Sequence, residues 1–243
     1  MIKLNCSAAF FVLSLLAVTS PVQALELVGL VEPHMVVKIG SPALGIVESI
    51  SVDRGDQIKK GQQVAQLDSR IETVEADLAK ERSTFLSGKH DRLKSLGTNS
   101  MASIEEIDQA RSEMRVANYE IARRNILLQN RRIESPVNGV VVQRLLSPGE
   151  YAYEQTPVMV VAQIDPLNIE VLAPTSYYSK IVKGMKATVT LETGTDKPQT
   201  AKVIVIDKVM DAASNTFGVR LELANPNFDI PAGQKCKVIF SDL

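Results

Sequence analysis

Residues 39–47 read Ile39-Gly40-Ser41-Pro42-Ala43-Leu44-Gly45-Ile46-Val47, and 94 residues later the chain reads Ile133-Glu134-Ser135-Pro136-Val137-Asn138-Gly139-Val140-Val141. The offset persists without a gap, setting Gly55 on Gly149, Asp56 on Glu150 and Val64 on Val158. Two glycines at the same spacing, each followed by an acid, predict one tight turn used twice, because glycine tolerates positive φ without a Cβ clash. The flanking segments are short, rich in Val and Ile and bounded by Pro and Gly, which reads as strands. Ile46, Val47, Ile50, Val52, Ile58, Val64 and Leu67 are expected to supply one half of a small core. Val140, Val141, Val142, Leu145, Leu146, Val158, Val160 and Val161 are expected to supply the other. Neither half can bury its apolar face alone, so the two are expected to pair as a pseudo-two-fold sandwich.

The intervening stretch, 69–132, has a different character. It holds no proline and only Gly88 and Gly97, and is rich in Glu, Arg, Ala, Leu and Ile. Ile107, Met114, Ile121 and Leu128 recur every seven residues with Ala110 and Ala117 between them. This is a coiled-coil seam whose small residues admit a close partner. The natural partner is the preceding arm, with Ile71, Val74, Leu78, Phe85, Leu93 and Leu96, folded back as an antiparallel hairpin. Ser69 can cap the first helix, Gly97-Thr98-Asn99-Ser100 breaks the pattern, and Ser103-Ile104-Glu105-Glu106 is a capping box. Two arms of about 27 residues give a rod roughly 40 Å long.

Composition narrows the function. The 243 residues carry a formal net charge of -1, which leaves no basic footprint for nucleic acid. Trp is absent and aromatics make up 5%, so a stacking platform is not expected. The two histidines, His34 and His90, lie in different modules without metal-ligand spacing, and the methionines are scattered. No nucleophile elbow, phosphate-binding loop or dinucleotide fingerprint occurs, so catalysis, cofactor and metal are not expected. Lys3, an apolar run from Ala8 to Val18 and Val22-Gln23-Ala24 make a secretory signal peptide, 1–24, cleaved after Ala24. An uncleaved N-terminal anchor is the alternative. Cys236 is then the one remaining cysteine, expected buried in a strand.

Together, the paired half-motifs Gly45–Asp68 and Ile133–Val141 around a helical insert resemble the split lipoyl (biotinyl-like) domain of periplasmic adaptor subunits. These are the membrane fusion proteins of resistance-nodulation-division and related tripartite efflux pumps. Asn225-Pro226 with Ile230-Pro231-Ala232-Gly233, and Asp211–Arg220 before it, resemble that family's β-barrel domain. Turns at Gly184, Gly194, Gly218 and Gly233 fit such a barrel on pattern. The resemblance implies a mainly β fold with an inserted α-helical hairpin. Its modules are a lipoyl-like sandwich (39–68 and 133–163), the hairpin (69–132) and a barrel (164–243). Gly45, Gly55, Gly61, Gly139 and Gly149 are expected as turns of the sandwich. Leu27-Val28-Gly29-Leu30-Val31-Glu32-Pro33 resembles the start of that family's membrane-proximal domain, so 25–38 is expected to be the N-terminal strand or strands of a truncated membrane-proximal region.

The resemblance further implies a non-catalytic periplasmic link from an inner-membrane transporter to a TolC-like outer-membrane channel. Homo-oligomerisation, six copies to a ring, is implied as well. Arg92, Leu96 and Ser103 stand at the spacing by which family members dock such channels. Taken singly, each has a plainer role: a solvated charge, a local core residue and a helix cap. An ABC-type exporter is an alternative partner to a proton-driven pump. A lipoyl or biotinyl carrier would need an apical lysine at the junction that the helices occupy.

Overall fold

The computed structural model describes residues 25–99, 101–193 and 197–240, so the expected signal peptide, Cys6 and Gly194 lie outside the described residues. The chain is mainly β with one inserted helical hairpin. It opens with β1 (Leu25–Gly40), β2 (Gly45–Ile50), β3 (Gln57–Ile58) and β4 (Gln63–Leu67). Then come α1 (Arg70–Gly97), α2 (Ile104–Gln129), β5 (Arg132–Glu134), β6 (Gly139–Arg144) and β7 (Tyr151–Ala152). It continues through β8 (Pro157–Pro174), β9 (Lys186–Leu191), β10 (Gln199–Asp211), β11 (Thr216–Leu223) and β12 (Lys235–Phe240).

The repeat is visible bond by bond. The amide of Gly55 donates to the carbonyl of Val141 at 2.9 Å, and that of Gly149 to Val47 at 2.8 Å. Val141 donates to Asp56, and Val47 to Glu150, each at 2.9 Å. The Ser41 hydroxyl donates to the Ala43 carbonyl at 2.5 Å and the Ser135 hydroxyl to that of Val137 at 2.7 Å. Each acid closes its own turn, Asp56 accepting from the Asp53 amide and Glu150 from the Ser147 amide. Each of these bonds of one half thus has a counterpart in the other, and the core between them holds Val47, Ile58, Val64, Ile133, Val141 and Val158. Ile46 and Val142, expected inside, are exposed because strand alternation turns them to the other face, and Leu145, also expected inside, is exposed just past the end of β6.

Three of the five expected turn glycines hold positive φ: Gly55 at +94°, Gly61 at +79° and Gly149 at +90°. Gly45 and Gly139 instead open β2 and β6, and are needed for close approach. A Cβ on Gly139 would lie 2.3 Å from the Ala162 carbonyl oxygen, and one on Gly45 2.7 Å from the Arg131 guanidinium.

The second core belongs to the barrel and includes Val31, Leu167, Val189, Val203, Leu221 and Phe240. Cys236 is buried there, and its burial raises the thiol to about 11. Gly184 and Gly233 turn the chain at positive φ. Gly218 does not: it lies within β11, where Asp207 covers it so closely that a Cβ would be 2.2 Å from the carboxylate.

The stretch 25–38 also departs from expectation. It is no separate region but part of one sixteen-residue strand, β1, serving both cores. Leu25–Leu30 pair with β12 in the barrel, while Met35–Gly40 pair with Pro157–Gln163 of β8 in the sandwich. Val31 seals the barrel core and Ile39 the sandwich core. Buried positions keep the same parity in both modules, and their boundary shows as a register shift between Pro33 and Met35, where Met35 is exposed.

The helices pack along Ala76, Ala79 and Ser83 of α1 and Ala110 and Ala117 of α2. Ile107, Met114, Ile121 and Leu128 are half-buried beside that seam, as expected. Of the apolar residues expected on α1, Leu93 is half-buried, but most are not in it. Ile71, Val74, Leu78 and Phe85 are between 66 and 71% exposed, because alanine and serine at the contact let the backbones approach and turn the larger side chains outward. Polar links tie the helices rung by rung: Glu72 to Arg131 at 2.5 Å, Glu75 to Arg124, Ser83 to Asn118 at 2.6 Å and Lys89 to Glu113 at 2.8 Å. Arg131 also donates to the Leu44 carbonyl at 2.6 Å, fastening the hairpin base to the sandwich.

Candidate docking site at the hairpin apex

The apex is shaped by two local devices. Gly97 ends α1 with Ile107 of α2 pressed against it; a Cβ there would lie 2.4 Å from the Ile107 Cδ1. The Leu96 carbonyl accepts from the amides of Asn99 and Met101, at 3.1 and 3.0 Å, and so turns the chain. Ser103 then starts α2 with the expected capping box. Its Oγ accepts from the Glu106 amide at 3.2 Å, and Glu106 Oε2 accepts from the Ser103 amide at 2.8 Å. The Ser103 hydroxyl donates to the same carboxylate at 2.9 Å. Donation from the Ser103 amide, and next from its hydroxyl, holds the Glu106 carboxyl below the usual carboxylate range.

At the base of α1 the cap differs from expectation. Ser69 occupies the cap position but makes no side-chain cap; Asp68 accepts from the Arg70 amide at 3.2 Å instead. Its carboxyl is held at about 2, chiefly by the hydrogen bond from the Arg70 side chain.

Arg92 and Leu96 lie four residues apart on α1, hence on one face, with Ser103 across the turn. Arg92 is exposed and makes no ion pair among the described residues, and its guanidinium folds back toward Gly88. Ser103 has its donor committed to Glu106, leaving it only acceptor capacity for a partner. Two residues that sequence reasoning passed over complete the apex. Met101 is 75% and Ile104 80% exposed, beside Leu96 at 42%. Ile104 stands three residues before Ile107, at ordinary apolar spacing, so no feature of the sequence set it apart. An apolar apex next to an unpaired cation can hold a protein surface; among the described residues no group of His, Cys, Asp or Glu could hold a metal.

Known proteins agree with this architecture. Residues 35–163 match the CzcB-like barrel-sandwich hybrid domain, and 167–242 the CusB-like β-barrel domain. The chain is similar to "Multidrug resistance protein MdtA" of Xenorhabdus bovienii, 25% identical, with 82% of this chain and 54% of the relative covered. It is also similar to "Solvent efflux pump periplasmic linker SrpA" of Pseudomonas putida, 24% identical, with 83% of this chain and 56% of the relative covered. The chain therefore spans about half the length of these curated relatives. In fold it is similar to a MacA-MexA chimera carrying the Pseudomonas aeruginosa MexA α-hairpin, with a TM-score of 0.74 at 18% identity and coverage of 91 and 81%. The putative efflux transporter of Bacteroides eggerthii gives a TM-score of 0.72 at 18% identity, with coverage of 91 and 70%. With the barrel-sandwich match alone taking in more than half of its residues, the chain belongs to the membrane fusion proteins of the resistance-nodulation-division type.

Proposed function

We propose that this chain is a non-catalytic periplasmic adaptor that links an inner-membrane efflux transporter to a TolC-like outer-membrane channel and so supports export of drugs or other small toxic compounds. The observation that carries the reading is the hairpin apex, where Leu96, Met101 and Ile104 stand exposed beside the unpaired Arg92 on a turn braced by the Ser103–Glu106 box. A channel end built of helices offers grooves for the apolar side chains and carbonyl or carboxylate acceptors for Arg92. The names of the relatives, a multidrug resistance protein and a solvent-pump linker, support the same role. The chain works in the periplasm, with its leader removed after Ala24, as a ring of copies tied to the inner membrane through the transporter.

The test is a double substitution, Arg92→Glu with Leu96→Glu, in the native host. Resistance and co-purification of the channel are expected to fall while adaptor abundance holds. Unchanged resistance at unchanged abundance would sink the docking role of this apex.

A further inference from the structure

One end of the barrel is continuous with the sandwich through β1 and β8, and the other end is free. The segment 175–185 crosses the free end, with Ile181 buried in the barrel core and Tyr177 and Met185 packed against it. The turn 211–215 stands beside it, the Asn215 carbonyl accepting from the Thr175 amide at 3.1 Å. Both neighbourhoods leave apolar side chains in solvent. Val182 of the crossing segment is 54% exposed, and Val209, in the irregular stretch of β10 between Ile206 and Met210, is 84% exposed.

Charge is sorted toward the same end. Lys180 and Lys183 lie on the crossing segment, Lys186 opens β9 directly after it, and Lys208 stands on β10 ahead of the turn. Lys202 of β10 is the cross-strand partner of Lys186. A Cβ on Gly184 would lie 3.9 Å from the Lys202 Cε, so this lysine also reaches toward the crossing segment. All five lysines are exposed, and none makes an ion pair among the described residues, Lys202 and its other strand neighbour Glu222 included. Like charges directly opposite on neighbouring strands destabilise a sheet, and nothing in this chain offsets that cost. The acids nearby are engaged elsewhere. Asp211 accepts from the Ala213 amide and the Ser214 hydroxyl, Asp207 lies over Gly218, and Glu26 pairs with Lys237. A chain of net charge -1 thus gathers unneutralised positive charge at one end.

We infer that the free end of the barrel lies directly on an anionic lipid bilayer, with these lysines among the headgroups and Val182 and Val209 at the acyl boundary. Lysine interleaved with exposed apolar side chains is the composition of a surface that rests in a membrane interface. Each lysine near an anionic bilayer adds about fivefold to affinity. A headgroup phosphate supplies the counter-charge that Lys186 and Lys202 lack. The charges stand on a crossing segment, a strand start and an irregular strand, and a fluid sheet of phosphates can meet all of them at once. The orientation rests on the adaptor reading, in which the hairpin apex faces the outer membrane and the barrel the inner one.

The experiment is co-sedimentation of the full chain, purified from its native host, with vesicles of phosphatidylcholine made with or without phosphatidylglycerol. Binding to the phosphatidylglycerol vesicles is expected, lost in about 0.5 M salt, with none to phosphatidylcholine alone. Lys183→Gln with Lys208→Gln is expected to weaken binding about 25-fold. Lys59→Gln with Lys60→Gln makes the same charge change on the sandwich and is expected to alter binding less than about twofold. Val182→Ser with Val209→Ser is expected to weaken binding about tenfold and to leave its salt dependence unchanged. Equal binding to both kinds of vesicle overturns the assignment, as does an equal loss in the Lys59 and Lys60 variant. It also falls if no vesicle is bound while Lys183→Gln with Lys208→Gln strips the transporter from the purified adaptor, which would give this surface to the transporter. Vesicle binding requires neither transporter nor channel, so it stands if Arg92→Glu with Leu96→Glu leaves resistance unchanged. Loss of resistance in that apex variant stands equally if no vesicle is bound.

Discussion

Gln155 holds φ at +64° in the place that Gly61, its counterpart 94 residues earlier, holds at +79°. Their amides make the same bond, Gly61 to the Ser135 carbonyl at 2.8 Å and Gln155 to that of Ser41 at 2.9 Å. Left-handed backbone costs a residue with a Cβ roughly 1–2 kcal/mol, whereas glycine loses about 0.5–1 kcal/mol more chain entropy on folding. Gln155→Gly is therefore expected to be neutral or to stabilise by up to about 1 kcal/mol, and Gly61→Ala to destabilise by about 1 kcal/mol. Urea midpoints measure both. A loss above about 1 kcal/mol for Gln155→Gly would mean that its side chain contributes packing of its own.

Two glycines with equally tight neighbours are expected to answer substitution differently. At Gly139 the obstacle is the backbone carbonyl of Ala162 in a paired strand, so Gly139→Ala must shift β6 against β8 and is expected to cost about 3 kcal/mol. At Gly97 the obstacle is the far end of the Ile107 side chain, which can rotate away, so Gly97→Ala is expected to stay within about 1 kcal/mol. Thermal unfolding of the two variants side by side would expose an error in either estimate.

Ser103 serves the helix before it serves any partner. Ser103→Ala is expected to cost about 1 kcal/mol through the lost cap. Ser103→Asn keeps a cap and so separates helix starting from docking: retained channel binding in Ser103→Asn but not in Ser103→Ala would assign the residue to structure alone. The acid linkage has a definite sign. The folded carboxyl of Glu106 sits below its unfolded value, so its contribution is present above the unfolded value and lost as pH falls through the folded one. An NMR titration of Glu106 should find a lowered midpoint in the parent chain. It should move back toward the ordinary carboxylate value in Ser103→Ala, only in part, since the Ser103 amide still donates.

Cys236 should behave as an apolar residue. With its thiol raised from 9.0 to about 11, the folded chain holds that proton more tightly than the unfolded one. Its contribution to stability is complete below 9.0 and fades as pH climbs toward about 11. Alkylation at pH 8 is expected to be slow in the native chain and rapid in denaturant; equal rates would show the thiol to be accessible.

Much of the fold was legible because the sequence states it twice. A repeat at fixed offset fixes pairing partners as well as strands, and the Gly55 and Gly149 turns follow from it. The capping box at Ser103 was legible because it depends on residues three apart. The seam of α1 was not. Hydropathy points to Ile71, Val74, Leu78 and Phe85, yet the contact runs through Ala76, Ala79 and Ser83, since close helix approach rewards small size over apolarity. The shared strand β1 was hidden for a similar reason: residues facing two successive cores alternate alike, and pairing partners more than a hundred residues away decide where one core ends. At the apex, Met101 and Ile104 escaped attention because exposure cannot be read from residue type.

β1 and β8 each run unbroken from the barrel into the sandwich, laddered to one another over most of their length. A pull on the hairpin tip therefore reaches the barrel along two covalent chains at once, with tension aligned to the strand axes rather than across their hydrogen bonds. Such a strap is stiff to stretching and compliant to flexing across its thin dimension. The sandwich can thus tilt on the barrel while the span between them keeps its length.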